Sequence, residues 1–256
     1  MSEIQVVPVR AFSDNYVWTL RDETHAAVVD PGEARPVIEY LDREGLKLAA
    51  ILNTHHHADH VGGNGELLAR WVVPVFGPND SRIANVTQRL SDGERITLPH
   101  FGTEFEVMDI PGHTRTHIAF FGAGMLFCGD TLFAVGCGRL FEGTPAEMHR
   151  SLQRLSRLPD STRVYCGHEY TVSNIRFARA AEPGNHALAE LEKRAAAQRA
   201  KDLPTLPTDI GQEKATNPFL RVQEPAIIAS ASRRAGKPLE DPVSVLAALR
   251  EWKNNF

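Results

Sequence analysis

Leu48-Ala49-Ala50-Ile51-Leu52-Asn53-Thr54-His55-His56-His57-Ala58-Asp59-His60 is the stretch whose reading decides the fold. An apolar run long enough for a buried strand leads straight into a segment crowded with metal-ligand side chains. On an extended backbone successive side chains alternate faces, so His55 and His57 point one way and His56 the other. Asp59 and His60 follow where Val61-Gly62-Gly63 lets the chain turn towards a helix expected over Glu66 to Trp71. The spacing presents two sets of ligands, His55/His57 and Asp59/His60, to one small volume, which suits two adjacent metal ions better than one. An exposed His-rich tract can also be an incidental metal scavenger. Matching ligands elsewhere in the chain decide which reading holds.

The rest of the chain reads as an ordinary soluble globular protein. Of its 256 residues 42% are hydrophobic and 23% charged, enough chain for one large domain or a main domain with an appendage. No apolar run reaches the ~18 residues needed to span a bilayer, and no basic segment followed by a long apolar core opens the chain. The odd count of cysteines, Cys128, Cys137 and Cys166, without a disulfide-framework spacing suits a reducing cytoplasm. A net charge of -4 gives no reason to expect nucleic-acid or membrane partners. A monomer acting on a small molecule is expected.

Up to about residue 170, short apolar strands alternate with turns and helices. Strands are expected at Ile4-Val9, Tyr16-Leu20, Ala26-Val29, Ala49-Asn53, Val73-Phe76, Glu104-Ile110, His117-Phe121, Met125-Cys128 and Arg163-Cys166. Helices are expected at Ala34-Glu44, Pro145-Ser156 and Val172-Ala181, with proline at or near two of the starts. Strands apolar on both faces, as in Ala49-Leu52, imply layers on each side of a sheet, an α/β sandwich. From about Glu182 the texture changes. Helices are expected over His186-Ala200, Pro225-Ala235 and Pro242-Lys253, with a loop from Leu203 to Pro218. The reading is a catalytic domain at 1-170 and a small all-helical module at 171-256.

Three more ligand-type residues follow strands beside a glycine: Gly112-His113, Gly129-Asp130 and Gly167-His168. Ligands gather at the carboxyl ends of strands in α/β sheets, and glycine permits close approach there. His117 reads as a structural partner of such a site, and His25, His100, His149 and His186 take no role.

In these residues the sequence resembles the metallo-β-lactamase superfamily, whose ligand order is matched by His55-x-His57-x-Asp59-His60, His113, Asp130 and His168. The resemblance implies an αββα sandwich with one divalent metal on His55, His57 and His113. It implies a second on Asp59, His60 and His168, with Asp130 bridging. Zinc is favoured, and iron or manganese would also suit five imidazoles and two carboxylates. Two divalent ions, two carboxylates and a bridging hydroxide leave roughly +1 of charge, an attractor for anions and oxyanions. Hydrolysis is the natural reaction class, with that hydroxide as nucleophile and Asp59 and Asp130 as its carboxylate supports.

Gly136-Cys137-Gly138-Arg139-Leu140-Phe141-Glu142-Gly143, Gly167-His168-Glu169-Tyr170-Thr171, Asn217-Pro218-Phe219-Leu220-Arg221 and Arg250-Glu251-Trp252-Lys253 together look like glyoxalase II, the hydroxyacylglutathione hydrolases. The resemblance spans nearly the whole chain. It implies cleavage of S-D-lactoylglutathione to D-lactate and glutathione, the second step of methylglyoxal detoxification. It puts glutathione contacts at Arg139, Phe141, Tyr170, Arg250 and Lys253. The family often has Lys and Tyr at the positions of Arg139 and Phe141, so Arg139 keeps the charge while Phe141 loses a hydroxyl. Glutathione carries two carboxylates, and a basic cluster at a pocket rim is what it needs. A thiol (pKa ~8.5) also departs without much proton donation, unlike an amine. The alternatives are a persulfide dioxygenase or lactonase of the same superfamily, or a metal-binding module without turnover.

Overall fold

The computed structural model describes residues 4–256, so the first three residues of the expected catalytic domain lie outside them. The described residues form two compact units, one of residues 4–109 and 116–129, the other of 110–115 and 130–256.

In the first unit six strands run in chain order across one sheet: Gln5–Ala11, Asn15–Arg21, His25–Val29, Lys47–Leu52, Val75–Pro78 and Gln88–Leu90. The first three are antiparallel, with Val9 opposite Val17, and from His25–Val29 onward the pairing is parallel, with Val28 opposite Ile51. Antiparallel neighbours need only a tight turn. The parallel step needs a crossover, which the helix Ala34–Glu44 supplies. That helix ends on Gly45 at φ 67°, the left-handed cap glycine adopts without strain. Its Val37, Tyr40 and Leu41 pack with Val28, Leu48 and Ile51 of the sheet into one core. Asn15–Arg21 and Lys47–Leu52 are buried on both faces, as their unbroken apolar character required. A second, antiparallel ladder joins Arg95–Thr97, Glu104–Asp109, Ile118–Gly122 and Met125–Gly129.

The second unit is mainly helical: Pro145–Ser156, Thr171–Ala181, His186–Arg199, Ile210–Thr216, Pro225–Ala235 and Pro242–Asn254. Thr144 caps the first through a capping box, its hydroxyl accepting from the Glu147 amide while the Glu147 carboxylate accepts from the Thr144 amide. Val135, Ile175, Ala178, Leu188, Leu191 and Ala195 form a core of this unit. A two-residue hairpin pairs Leu132–Phe133 with Gly136–Cys137.

Two expectations need correction. The stretch from Leu203 to Pro218, read as loop, contains the helix Ile210–Thr216, started by Asp209 accepting from the Gln212 amide at 2.8 Å. Its Ile210, Glu213 and Thr216 are buried, at the three-residue spacing of one helix face. The stretch also adds a short strand, Thr208–Asp209, antiparallel to Arg163–Val164. In addition, the helix expected over Glu66 to Trp71 runs from Asn64 to Arg70, preceded by a single helical turn at Ala58–Val61. No helix among the described residues is long and apolar enough to cross a membrane. All three cysteines are buried thiols.

Candidate metal centre

The first unit carries the histidine run at the end of Lys47–Leu52, and hydrogen bonds orient each side chain. Asp30, just past the strand His25–Val29, accepts from the Thr54 amide at 2.7 Å and the Thr54 hydroxyl at 2.6 Å. Its Oδ2 also lies 3.1 Å from Nδ1 of His60, so that ring nitrogen donates and Nε2 is turned the other way, 3.5 Å from Oδ2 of Asp59. Nε2 of His55 and Nδ1 of His57 approach to 3.1 Å. Two imidazole nitrogens at that separation either share a proton or are ready to share a cation. His56 turns to Asp80, 3.6 Å away.

Asp80 is nearly fully buried, and its carboxylate accepts from Arg82 and from the Thr116 hydroxyl. The Arg82 guanidinium beside it holds this carboxyl well below the usual range. His117 is buried and stacks on His55, with centroids 4.5 Å apart and planes at 15°. Gly129, at φ 47°, leaves no room for a side chain, since a Cβ would lie 2.2 Å from the Thr54 hydroxyl and 2.8 Å from the His117 ring.

In the second unit, Oδ2 of Asp130 lies 3.6 Å from Nε2 of His113 and 3.3 Å from Nε2 of His168. All three residues are buried. His113 donates from Nδ1 to the Arg139 carbonyl at 2.8 Å, which leaves Nε2 to a ligand. A carbonyl or carboxylate on one ring nitrogen with the other presented inward is the usual support of a metal-binding histidine. Gly138 is required here, because a Cβ would sit 2.0 Å from the Asp130 carbonyl and 3.0 Å from Nδ1 of His113.

The donor set fits divalent cations. Two imidazoles converge on one carboxylate oxygen in the second unit, and in the first each histidine of the run is oriented by a neighbour. Asp30, His55 and His60 also lie within 4.8 Å of one another. Asp30 already accepts from Thr54 twice and from His60 once, which places it as a support behind that ring. Sequence reasoning missed Asp30, although its place after a strand, in Val29-Asp30-Pro31-Gly32, was the same signal that exposed the other candidates.

The candidate substrate residues divide by exposure. Arg139 is exposed. Phe141 is 63% exposed and edge-on to His113 at 5.3 Å. Tyr170 lies flat against His168, with centroids 4.7 Å apart and planes at 4°. Arg250, expected at a pocket rim, is instead buried. Its Nη1 donates to the Cys137 carbonyl at 2.7 Å, and the guanidinium lies over the Phe219 ring. Lys253 is half-buried over the Phe177 ring. Burial, reinforced by the charge of Arg250, brings its ammonium down to about 8.

Residues 11–168 match the family model of the metallo-beta-lactamase superfamily, and residues 169–256 match that of the hydroxyacylglutathione hydrolase C-terminus. A hydroxyacylglutathione hydrolase of Nitrosomonas europaea is 53% identical over 253 residues, 99% of this chain and 97% of that protein. One of Cupriavidus taiwanensis is 53% identical over 265 residues, covering 99% of each. Among solved structures, ETHE1 from Myxococcus xanthus superposes with a TM-score of 0.64 at 26% identity, covering 98% of each chain. A protein crystallised in a di-iron-bound form gives 0.60 at 28% identity, covering 84% of this chain and 100% of that one.

Fold and candidate ligands thus define a protein of the metallo-β-lactamase fold, with mixed sheets and a C-terminal helical domain. The chain belongs to the hydroxyacylglutathione hydrolase family.

Proposed function

We propose that this chain hydrolyses S-(2-hydroxyacyl)glutathione thioesters, S-D-lactoylglutathione above all, to a 2-hydroxy acid and glutathione. It does so as a cytoplasmic monomer, in the second step of methylglyoxal detoxification. The division of labour is a catalytic domain at 1-170 and a substrate-binding domain at 171-256. Two divalent metal ions, zinc first among them, would be held by His55, His57 and His113 and by Asp59, His60 and His168, with Asp130 common to both. When bound, such a pair lowers the pKa of coordinated water towards ~7 and polarises the thioester carbonyl.

The chain's own groups do the rest. Asp30 and the Arg139 carbonyl fix the rings of His60 and His113, so both present Nε2. Arg139 and Lys253 offer cations to the glutathione carboxylates, and Arg250 offers its remaining N–H groups. Tyr170 and Phe141 supply ring faces beside His168 and His113.

One observation carries the reading. Two carbonyls two residues apart, those of Cys137 and Arg139, hold the buried cation Arg250 and the candidate ligand His113. A metal-ligand side chain and an anion-binding side chain are therefore set by the same short segment, as a substrate with a reactive ester and a charged tail requires.

The test is S-lactoylglutathione hydrolysis in protein stripped of metal, verified by elemental analysis, with Asp130→Ala beside it. Activity should vanish on stripping and return with zinc, and Asp130→Ala should fall short of two metals per chain. Full turnover by verified metal-free protein overturns the reading.

A further inference from the structure

The hairpin Leu132–Cys137 begins two residues after Asp130 and is buried throughout. Its turn places Val135 at φ 58°, a conformation that a β-branched residue adopts only when its surroundings impose it. Three buried side chains do so. Glu213 accepts from the Val135 amide at 2.7 Å. Asn217 donates to the carbonyls of Phe133 at 3.2 Å and Gly136 at 2.9 Å, and Asn174 donates to that of Ala134 at 2.8 Å.

The same Asn217 NH2 also reaches Glu213 at 2.9 Å, so one of its two N–H groups is shared between two of the three acceptors, and Thr208 donates to the other oxygen of Glu213 at 2.7 Å. On its far side the Asn217 carbonyl oxygen accepts from the Phe219 amide at 3.0 Å, and the Phe219 ring underlies Arg250. The two residues after the hairpin turn that carry free carbonyl work, Cys137 and Arg139, are those that accept from Arg250 and His113.

Resting on the function proposed above, we propose that Glu213 and Asn217 are positioning residues of the acyl-glutathione site. They lock the Leu132–Cys137 hairpin, so the carbonyls beyond its turn hold Arg250 and His113 in the orientations that bind substrate and metal. Neither residue need touch the substrate. A carboxylate and an amide are the groups for this task, because the turn exposes one N–H and three carbonyls that have no water to turn to.

The test compares Glu213→Ala, Asn217→Ala and Glu213→Gln with wild type. The readouts are folding by circular dichroism, affinity for glutathione by calorimetry, zinc retained after dialysis, and KM and kcat for S-lactoylglutathione. Glu213→Ala and Asn217→Ala should bind glutathione about 10-fold more weakly, lose zinc faster and show a raised KM. Glu213→Gln should stay within about 3-fold of wild type, since its amide oxygen still accepts from Val135 and Asn217 while its NH2 donates to Thr208. A folded Glu213→Ala with wild-type glutathione affinity, zinc retention and KM overturns the proposal. If Glu213→Ala does not fold, Asn217→Ala decides it on the same readouts: weaker glutathione binding supports the role, and wild-type glutathione affinity, zinc retention and KM overturn it. Failure of wild type to bind glutathione or cleave the thioester counts against the functional reading itself. The positioning role is then judged on zinc alone, and equal retention in Glu213→Ala and wild type overturns it.

Discussion

Asp30 stands behind His60: its Oδ2 lies 3.1 Å from the ring Nδ1, and the same carboxylate accepts from the Thr54 amide and hydroxyl. Two consequences follow from one side chain. The proton of His60 is held on Nδ1, so Nε2 is the nitrogen presented to a ligand. The turn from strand to histidine run is also pinned at Thr54. Asp30→Ala should therefore weaken metal binding by roughly 10–100-fold while leaving the ligands themselves in place. Competition against a chromophoric chelator measures this, and wild-type zinc affinity in the variant would refute the supporting role.

Gly138→Ala tests how closely the backbone must pass the site. The added methyl would meet the Asp130 carbonyl at 2.0 Å and His113 Nδ1 at 3.0 Å, and the carbonyl cannot swing aside as a flexible side chain could. The expected cost is about 1–3 kcal/mol of stability, accompanied by loss of bound zinc. Thermal unfolding with and without zinc checks it. An unchanged melting temperature in both conditions would mean the chain has slack here.

Lys253, as a proposed glutathione contact, should make the binding of glutathione pH-dependent. Its ammonium sits near 8 because burial disfavours the charge, and Arg250, with Arg139 and Arg176, repels it, while Cys137 opposes the shift. The folded protein thus binds fewer protons than the unfolded chain from about pH 8 up to the ordinary lysine range of ~10.4. The penalty of holding a charged Lys253 is fully present below pH 8 and is relieved as pH rises through that window. Lys253→Met should be more stable than wild type at pH 7, with the gap closing by pH 10. Affinity for S-methylglutathione should fall above pH 8 in wild type, stay flat in Lys253→Met and fall only at higher pH in Lys253→Arg. Parallel titration curves for wild type and Lys253→Met would exclude the residue as a contact.

Much of this protein is legible in one dimension. The apolar run Leu48–Leu52 had to be a buried strand, and Thr144-Pro145 had to begin a helix, because each is a local pattern with a local cause. The alternation of side chains along an extended segment separated His56 from His55 and His57, and His56 indeed turns to Asp80. Ile210–Thr216 was hidden by the prolines before it, although Asp209 and Gln212 carry the spacing of a helix cap.

The sequence by itself determined the kinds of groups available: imidazoles and carboxylates just past strand ends, glycines where backbone must come close, and basic side chains near the C-terminus. Those follow from chemistry and from neighbours a few residues away. Only the tertiary structure decided what each group does. Asp30 lies 30 residues from His60 in sequence yet fixes its tautomer. Arg250 reads as a rim cation on a helix but is buried on the carbonyl of Cys137, 113 residues earlier. Glu213 and Asn217 lie outside every candidate set of ligands, yet they hold the turn on which His113 and Arg250 depend. Hydrogen bonds between distant segments have no periodicity to betray them, because their partners are chosen by the way the chain packs and not by their spacing along it.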